Sequence, residues 1–281
     1  MTIEAYAKIN WALNVLGTRP DGYHALDSLL QRVYLHDTLE LTPSPDLSLT
    51  VEGSGDAPGD ASNLAMRAAM ALRDTAGVSE GVHIRLVKRI PSQAGLGGGS
   101  ADAAAALLGL NAFWGLGLSL PELLPFAAAL GSDVPACMHP GLTRIGGRGE
   151  RVTPLAKPGP AFHIVLLKPQ GGLSTADVFR RYDQLPDARE ANMDALADAL
   201  LRGDLDTAAK HSRNQMQQTA VSMLPDIGAA LRDLEDAGAA FARMTGSGSA
   251  VFGVFRSDAE ALRAGDALAE RWPFCACTRT L

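Results

Sequence analysis

From Ile3 to Gly17 and from Thr38 to Val51, short alternating or β-branched apolar runs are broken by Gly, Pro and Asp. That is the pattern of strands in a mainly antiparallel sheet. Between Asn63 and Ala76 the apolar positions move to helical spacing, with Asn63 placed to cap the helix and Gly77 to stop it. Val82 to Ile90 alternates again and feeds through Pro91 into P-S-Q-A-G-L-G-G-G-S-A, which runs without a break into the alanine-rich segment Asp102 to Leu110. The predicted order is helix, strand, glycine loop, helix.

Farther along, Ser119 caps a helix reaching Leu130, and Gly131-Ser132-Asp133-Val134-Pro135 breaks it with a polar turn that puts Asp133 on a loop. Gly141 to Gly149 reads as a strand and turn. Thr153 to Pro160 carries Pro154, Pro158 and Pro160, and it predicts a boundary between a first domain over 1–155 and a second over 156–281. Beyond it the pattern predicts a strand at Phe162 to Leu167 and helices at Thr175 to Tyr182, Met193 to Leu201, Leu205 to Met216 and Ile227 to Ala237. A strand at Ala240 to Met244, the run T-G-S-G-S, a strand at Ala250 to Phe255, a helix from Asp258 to Trp272 and a last strand follow. This is an α+β order.

Composition narrows the classes. With 281 residues, 47% hydrophobic and 20% charged, the chain has the balance of a soluble globular protein with a sizeable core. A net charge of −6 argues against nucleic acid or an anionic membrane as partner, so any phosphate is bound locally. No apolar run approaches the ~18 residues of a membrane span, and no signal-like segment opens the chain, so a cytoplasmic location is expected. Cys137, Cys275 and Cys277 are an odd, sparse set that suits reduced thiols. Cys275 and Cys277 fall on one face of a strand, and no second Cys/His pair completes a zinc site. The expected assembly is a monomer or a weak homodimer.

The glycine loop changes the picture from fold to chemistry. Gly95, Gly97, Gly98 and Gly99 let the backbone turn and a ligand approach, while the helix behind presents free N–H groups and a positive dipole end. Phosphate is the expected guest. The loop lacks the lysine of G-x-x-x-x-G-K-[ST] and the spacing of G-x-G-x-x-G, so it matches neither of those nucleotide motifs. Ser100 reads as an N-cap or as a hydroxyl for a bound phosphate, and Asp102 as a complement to the helix dipole. Phosphoryl transfer also needs a proton acceptor and cations. Lys8, in an apolar strand, and Asp133, before Val-Pro, read singly as an edge charge and a turn residue. Taken together they supply a base and its cation.

These motifs resemble the GHMP small-molecule kinases, named for galactokinase, homoserine kinase, mevalonate kinase and phosphomevalonate kinase. P-S-Q-A-G-L-G-G-G-S-A resembles the family's P-x-x-x-G-L-G-S-S-A phosphate loop; A-K-I-N at 7–10 resembles its N-terminal motif; and T-G-S-G-S-A-V-F from Thr245 to Phe252 resembles its C-terminal glycine motif. They occur in the family's order over nearly the whole chain. R-P-D-G-Y-H at 19–24 and G-S-D-V-P at 131–135 are similar to members that act on a cytidine diphosphate-linked methylerythritol.

The resemblance implies a two-domain α+β architecture, with an N-terminal ATP-binding domain, a C-terminal α+β domain and the active site in the cleft between them. It implies ATP and Mg2+ as cofactors and phosphorylation of the 2-hydroxyl of that small-molecule substrate, in the non-mevalonate isoprenoid route. Asp133 is implied as the base and Lys8 as its charge partner. Pro91, Ser92, Gln93, Ala94, Gly95, Leu96, Gly97, Gly98, Gly99, Ser100 and Ala101 are implied to hold ATP, with Asn63 and Lys88. On the acceptor side it implies Asn10 at the methylerythritol hydroxyls, Tyr23 stacking on cytosine, His24 bonding its edge and Phe179 closing the other face. Thr175 is implied near the sugar-like end and Gly246 and Gly248 near the diphosphate. Ser92-Gln93-Ala94 departs from relatives with more glycine there, and no magnesium ligand is legible.

Overall fold

The computed structural model describes residues 1–53, 57–155, 159–187 and 189–281. Residues 156–158, where the expected domain boundary falls, lie outside the described residues. The chain forms two compact units that interleave along the sequence: Met1–Lys8, Leu35–Ser92 and Gly97–His139 make the first, and Ile9–Tyr34, Gln93–Leu96 and Pro140–Leu281 the second. Strands β1 (Thr2–Thr18) and β2 (His24–Ser44) therefore contribute residues to both.

In the first unit, Thr38–Ser44 of β2 pairs antiparallel with β4 (Gly81–Lys88), and β3 (Ser48–Gly53) pairs parallel with β4. Side chains alternate across these strands, so Val82, Ile84 and Leu86 are buried together, and Lys88 is buried in the same phase. On β2, Asp37 is buried in phase with Leu39 and Leu41. Helix α1 (Leu64–Ala76) begins where Asn63 Oδ1 accepts from the Ala65 N–H and ends at left-handed Gly77, as predicted. Helix α3 (Leu120–Leu130) starts at Ser119, whose N–H and hydroxyl both donate to Glu122.

Helix α2 runs from Gly98 to Phe113, starting before the alanine-rich run. Gly97, at φ +70°, is its cap, so Ser100 sits inside the first turn, which removes the N-cap reading of the two that the sequence offers for it. Nearly every side chain from Ala101 to Leu107 is buried, which suits a helix made of alanine and enclosed by its neighbours. Asp133 occupies a turn just before the short helix α4 (Val134–Cys137).

In the second unit, Leu26–Gln31 of β2 pairs antiparallel with β5 (Leu142–Gly147), which pairs with β6 (Arg151–Pro154), a strand that the prolines concealed. A separate antiparallel sheet has the order β10-β7-β9-β8, from Phe274–Arg279, His163–Lys168, Val251–Phe255 and Phe241–Met244. Helices α5 (Thr175–Tyr182), α6 (Met193–Arg202), α7 (Leu205–His211), α8 (Gln217–Met223), α9 (Asp226–Asp236) and α10 (Asp258–Leu268) accompany it. Val165, Leu167, Ile227, Leu234, Val251, Phe255 and Leu268 are part of its core.

The helix expected over Leu205–Met216 stops at His211 because the chain turns aside to pair with β1. Ser212 Oγ donates to the Trp11 carbonyl, the Leu13 N–H to the Arg213 carbonyl and the Gln215 N–H to the Leu13 carbonyl. Helix α10 likewise ends at Leu268, short of Trp272. Cys275 and Cys277 turn their thiols toward carbonyls of α10, and burial pushes the Cys275 thiol up to about 11. Such a thiol is unreactive at neutral pH.

Candidate active site

In the first unit, the Lys8 ammonium lies 3.4 Å from Asp133 Oδ2, so the two residues that sequence spacing leaves 125 positions apart form an ion pair. The Lys8 side chain is 4% exposed and that of Asp133 35%, which leaves the carboxylate open to a ligand. A Cβ built on Gly97 would come within 2.9 Å of Lys8 Cγ and 3.1 Å of Cε. Glycine at 97 thus serves twice: it takes the left-handed conformation that caps α2, and it lets the Lys8 stem lie against the loop. Lys8, Asp133 and Gly97 are thus brought together within the first unit.

Lys88 is held differently. Its ammonium donates to Asp37 Oδ2 and, at 2.6 Å, to Asp102 Oδ2, with all three residues buried. Asp37 Oδ1 also accepts from the Ile90 N–H at 2.8 Å, securing the chain as it leaves β4 for the loop. Asp102 is therefore not the dipole complement expected from sequence: it lies a turn inside α2, and its carboxylate meets Lys88. Burial, together with the neighbouring Asp37 charge and against the pull of Lys88, pushes Asp102 up to about 7.

That shift has a signed consequence for stability. An aspartate raised from 3.8 to about 7 on folding keeps a proton that the unfolded chain has lost, so its contribution declines as pH rises from 4 to 7 and is level above. Asp102→Asn should accordingly gain stability relative to wild type by on the order of 2–4 kcal/mol on going from pH 5 to pH 8. Urea unfolding of both proteins at the two pH values reads this difference, and a pH-independent difference would contradict the raised carboxyl.

Asn63, buried, spends its amide on structure: Oδ1 caps α1, and Nδ2 donates to the Pro58 carbonyl at 2.8 Å. Pro91 and Ser92 close the first half of the loop in this unit, and Gly98, Gly99, Ser100 and Ala101 form the opening turn of α2.

The second unit takes Gln93, Ala94, Gly95 and Leu96 onto its C-terminal glycine motif. The carbonyls of Gln93 and Ala94 accept from the Ser249 and Ala250 N–H groups, and Thr245 Oγ1 donates to the Gly95 carbonyl at 3.1 Å. A Cβ on Gly95 would stand 2.2 Å from the Thr245 carbonyl oxygen, so only glycine fits. The Asn10 N–H donates to Thr245 Oγ1 at 3.0 Å and Asn10 Nδ2 to Ser28 Oγ at 2.9 Å, fixing the side chain. Gly246 and Gly248, at φ +56° and +89°, turn the same motif, and Ser247 Oγ lies 2.8 Å from Thr175 Oγ1.

His24 and Phe179 stack at 4.5 Å between ring centroids and 16° between planes, while His24 Nε2 meets Asp183 Oδ1 at 2.7 Å. Phe179 also packs against the core of this unit, so it is partly core and partly ring partner. Tyr23 is 55% exposed, with the Arg148 guanidinium 5.3 Å from its ring centroid. With one face of Phe179 covered by His24, these rings leave no gap for a base between His24 and Phe179.

Sequence reasoning missed Asp37, Asp183, Arg148, Ser28 and Thr245 as partners of the candidate residues. Asp37 had a signal, since it falls in the buried phase of β2; Lys88 had the same one on β4. The others are joined to their partners only by tertiary folding. Among the described residues, no group of three or more His, Cys, Asp or Glu is placed to hold a metal ion. No helix among the described residues is long and apolar enough to cross a membrane.

The family model described as GHMP kinases N terminal domain matches residues 63–141, and the one described as GHMP kinases C terminal matches residues 196–273. A 4-diphosphocytidyl-2-C-methyl-D-erythritol kinase of Pelotomaculum thermopropionicum is 44% identical over 94% of this chain and 91% of its own length. A crystal structure of a 4-(cytidine 5'-diphospho)-2C-methyl-D-erythritol kinase superposes with a TM-score of 0.85 at 34% identity, covering 100% of this chain and 99% of that one. Homoserine kinase from Cytophaga hutchinsonii shares the fold, with a TM-score of 0.74 at 20% identity over 100% of this chain and 94% of its own. The chain belongs to the GHMP kinases, whose family implies the use of ATP, and within them to the group of relatives named 4-diphosphocytidyl-2-C-methyl-D-erythritol kinase.

Proposed function

We propose that this protein transfers the γ-phosphoryl group of ATP to the 2-hydroxyl of 4-diphosphocytidyl-2-C-methyl-D-erythritol, giving the 2-phosphate and ADP in the non-mevalonate route to isoprenoid precursors. The observation that carries the reading is the Lys8–Asp133 ion pair seated against Gly97 of the anion loop. The names of the full-length relatives support the choice of acceptor.

The glycine loop and the start of α2 hold the phosphates through backbone N–H groups and the helix dipole. Asp133 takes the proton of the acceptor hydroxyl as its oxygen bonds to the γ-phosphorus and the bond to the β-phosphate oxygen breaks. Lys8 offsets the charge gathered there. Mg2+, when bound with the nucleotide, neutralises the departing diphosphate. Lys88 and Asn63 serve the nucleotide by holding the backbone: Lys88 ties β4 to α2, and Asn63 caps α1.

On the acceptor, His24, backed by Phe179, reads the cytosine edge, and the exposed Tyr23 supplies aromatic surface for the ring, since only edge hydrogen bonds separate cytosine from other bases. Asn10 and Thr175 serve the methylerythritol end, and Gly246 and Gly248 allow the backbone near the diphosphate. We also keep the division into domains over 1–155 and 156–281, supported by its place between the two family matches. A cytoplasmic monomer or weak homodimer completes the proposal; a sparse, odd set of three cysteines accords with a reducing compartment.

A panel of acceptors tests the specificity. Turnover should require the cytidine diphosphate-linked acceptor, with homoserine, mevalonate and free sugars at background. Preference for one of those would identify a different kinase of the same fold.

A further inference from the structure

We propose that the Asp102 carboxyl, buried behind the glycine loop, is a proton-binding site coupled to nucleotide binding, gaining its proton when phosphates occupy the loop. The inference rests on residues 91–101 as the nucleotide phosphate site, and it goes beyond that reading by assigning a titrating group to it.

The argument starts from unequal partners in one buried cluster. Three donors converge on Asp37, from Lys88 Nζ and the Arg89 and Ile90 N–H groups, whereas Asp102 receives Lys88 alone through Oδ2. Asp102 Oδ1 is buried and has no hydrogen-bond partner. Two carboxylates thus share one ammonium, out of reach of solvent, and a second positive charge is needed for balance. A proton on Asp102 provides it, because that carboxyl has an oxygen to spare and Asp37 does not.

The charges that face Asp102 are Lys88 from β4 and Asp37 from β2. Helices α1, α3 and α4, packed on α2, bury alanine, leucine, methionine, valine and proline side chains there, with the Cys137 thiol as the titratable group among them. Burial and Asp37 already push Asp102 up to about 7, so near neutral pH it is half loaded and responsive.

The link to the ligand is distance. Lys88 Nζ lies 3.4 Å from the position of a Cβ on Gly98, the first residue of α2, so the cluster sits directly beneath the loop. Asp102 follows Gly98 by four positions, about 6 Å along the helix axis. Nucleotide phosphates at the helix start add negative potential through a poorly solvated medium and favour the neutral acid. A rise of about one unit takes the protonated fraction at pH 7 from about one half to about nine tenths, an uptake of about 0.4 proton per nucleotide. Binding that takes up a proton weakens as pH rises, here by up to about tenfold between pH 6 and 9.

Isothermal titration of MgADP into the full protein, in buffers of different ionisation enthalpy, measures this uptake. Wild type should take up about 0.4 proton more than Asp102→Asn at pH 7. Asp37→Asn, which keeps Asp102 but removes the neighbouring charge, should move the pH of maximal uptake downward. Equal uptake in wild type and Asp102→Asn overturns the proposal, as does an unmoved maximum in Asp37→Asn if the first variant fails to fold. Absence of any MgADP binding overturns the functional reading with it; binding without the extra proton overturns this inference alone.

Discussion

Replacing Asp133 by Asn should lower kcat by at least about 10²-fold while the dissociation constant for MgATP changes by less than about threefold. The substitution keeps the size of the side chain and removes its ability to accept a proton. It also removes the charge that Lys8 meets at 3.4 Å, so the ion pair is lost together with the proposed proton acceptor. In the proposed reading nucleotide affinity resides in the backbone of the glycine loop and the start of α2, which Asp133 does not build. Single-turnover kinetics alongside equilibrium binding separate the two effects. Near-normal turnover in the variant would remove Asp133 from the role of base.

Lys88→Met should produce the largest loss of stability of any single change at the site, about 3–5 kcal/mol by urea unfolding at pH 8. The methionine fills the space but leaves Asp37 and Asp102 buried beside each other with no compensating cation. Asp102 then holds its proton more tightly, so the loss should shrink at pH 5, where that carboxyl is neutral in any case. Adding Asp102→Asn should recover part of the loss, because it removes one of the two like charges, and the coupling in the cycle measures their repulsion. A loss under about 1 kcal/mol at pH 8 would mean that the cluster is solvated and not the buried tie between β4 and α2 described above.

Local patterns were legible where local forces decide them. Asn63 and Gly77 bracket α1, Ser119 and Glu122 open α3, and the alternation in Val82 to Leu86 marks β4. The glycine loop and the helix start behind it were legible because they are a property of adjacent residues. The boundary between them was not, since Ser100 has the chemistry of a cap but Gly97 has the conformation for one.

The alternation in β4 also held information that side-chain chemistry obscured. Lys88 keeps the phase of Val82, Ile84 and Leu86, which places it inward, although lysine on a strand is ordinarily a solvated edge residue. Asp37 keeps the phase of Leu39 and Leu41. Two charges of opposite sign in buried phases of neighbouring strands are a signal that they meet. By contrast, Asp183 beside His24 and Thr245 beside Asn10 are separated by 159 and 235 positions and have no periodic signature. The end of α7 at His211 was lost for a similar reason: Ser212 to Gln215 leave the helical path for contacts with β1.

The central claim is transfer of the γ-phosphoryl group of ATP to one hydroxyl of 4-diphosphocytidyl-2-C-methyl-D-erythritol. Phosphorus NMR of the protein with MgATP and this acceptor tests it in a single spectrum. The account predicts loss of the γ-phosphate signal, growth of ADP and one new phosphomonoester resonance coupled to the methylerythritol 2-position, with the cytidine diphosphate signals retained. Inorganic phosphate as the sole new product, or an unchanged ATP spectrum, would contradict it.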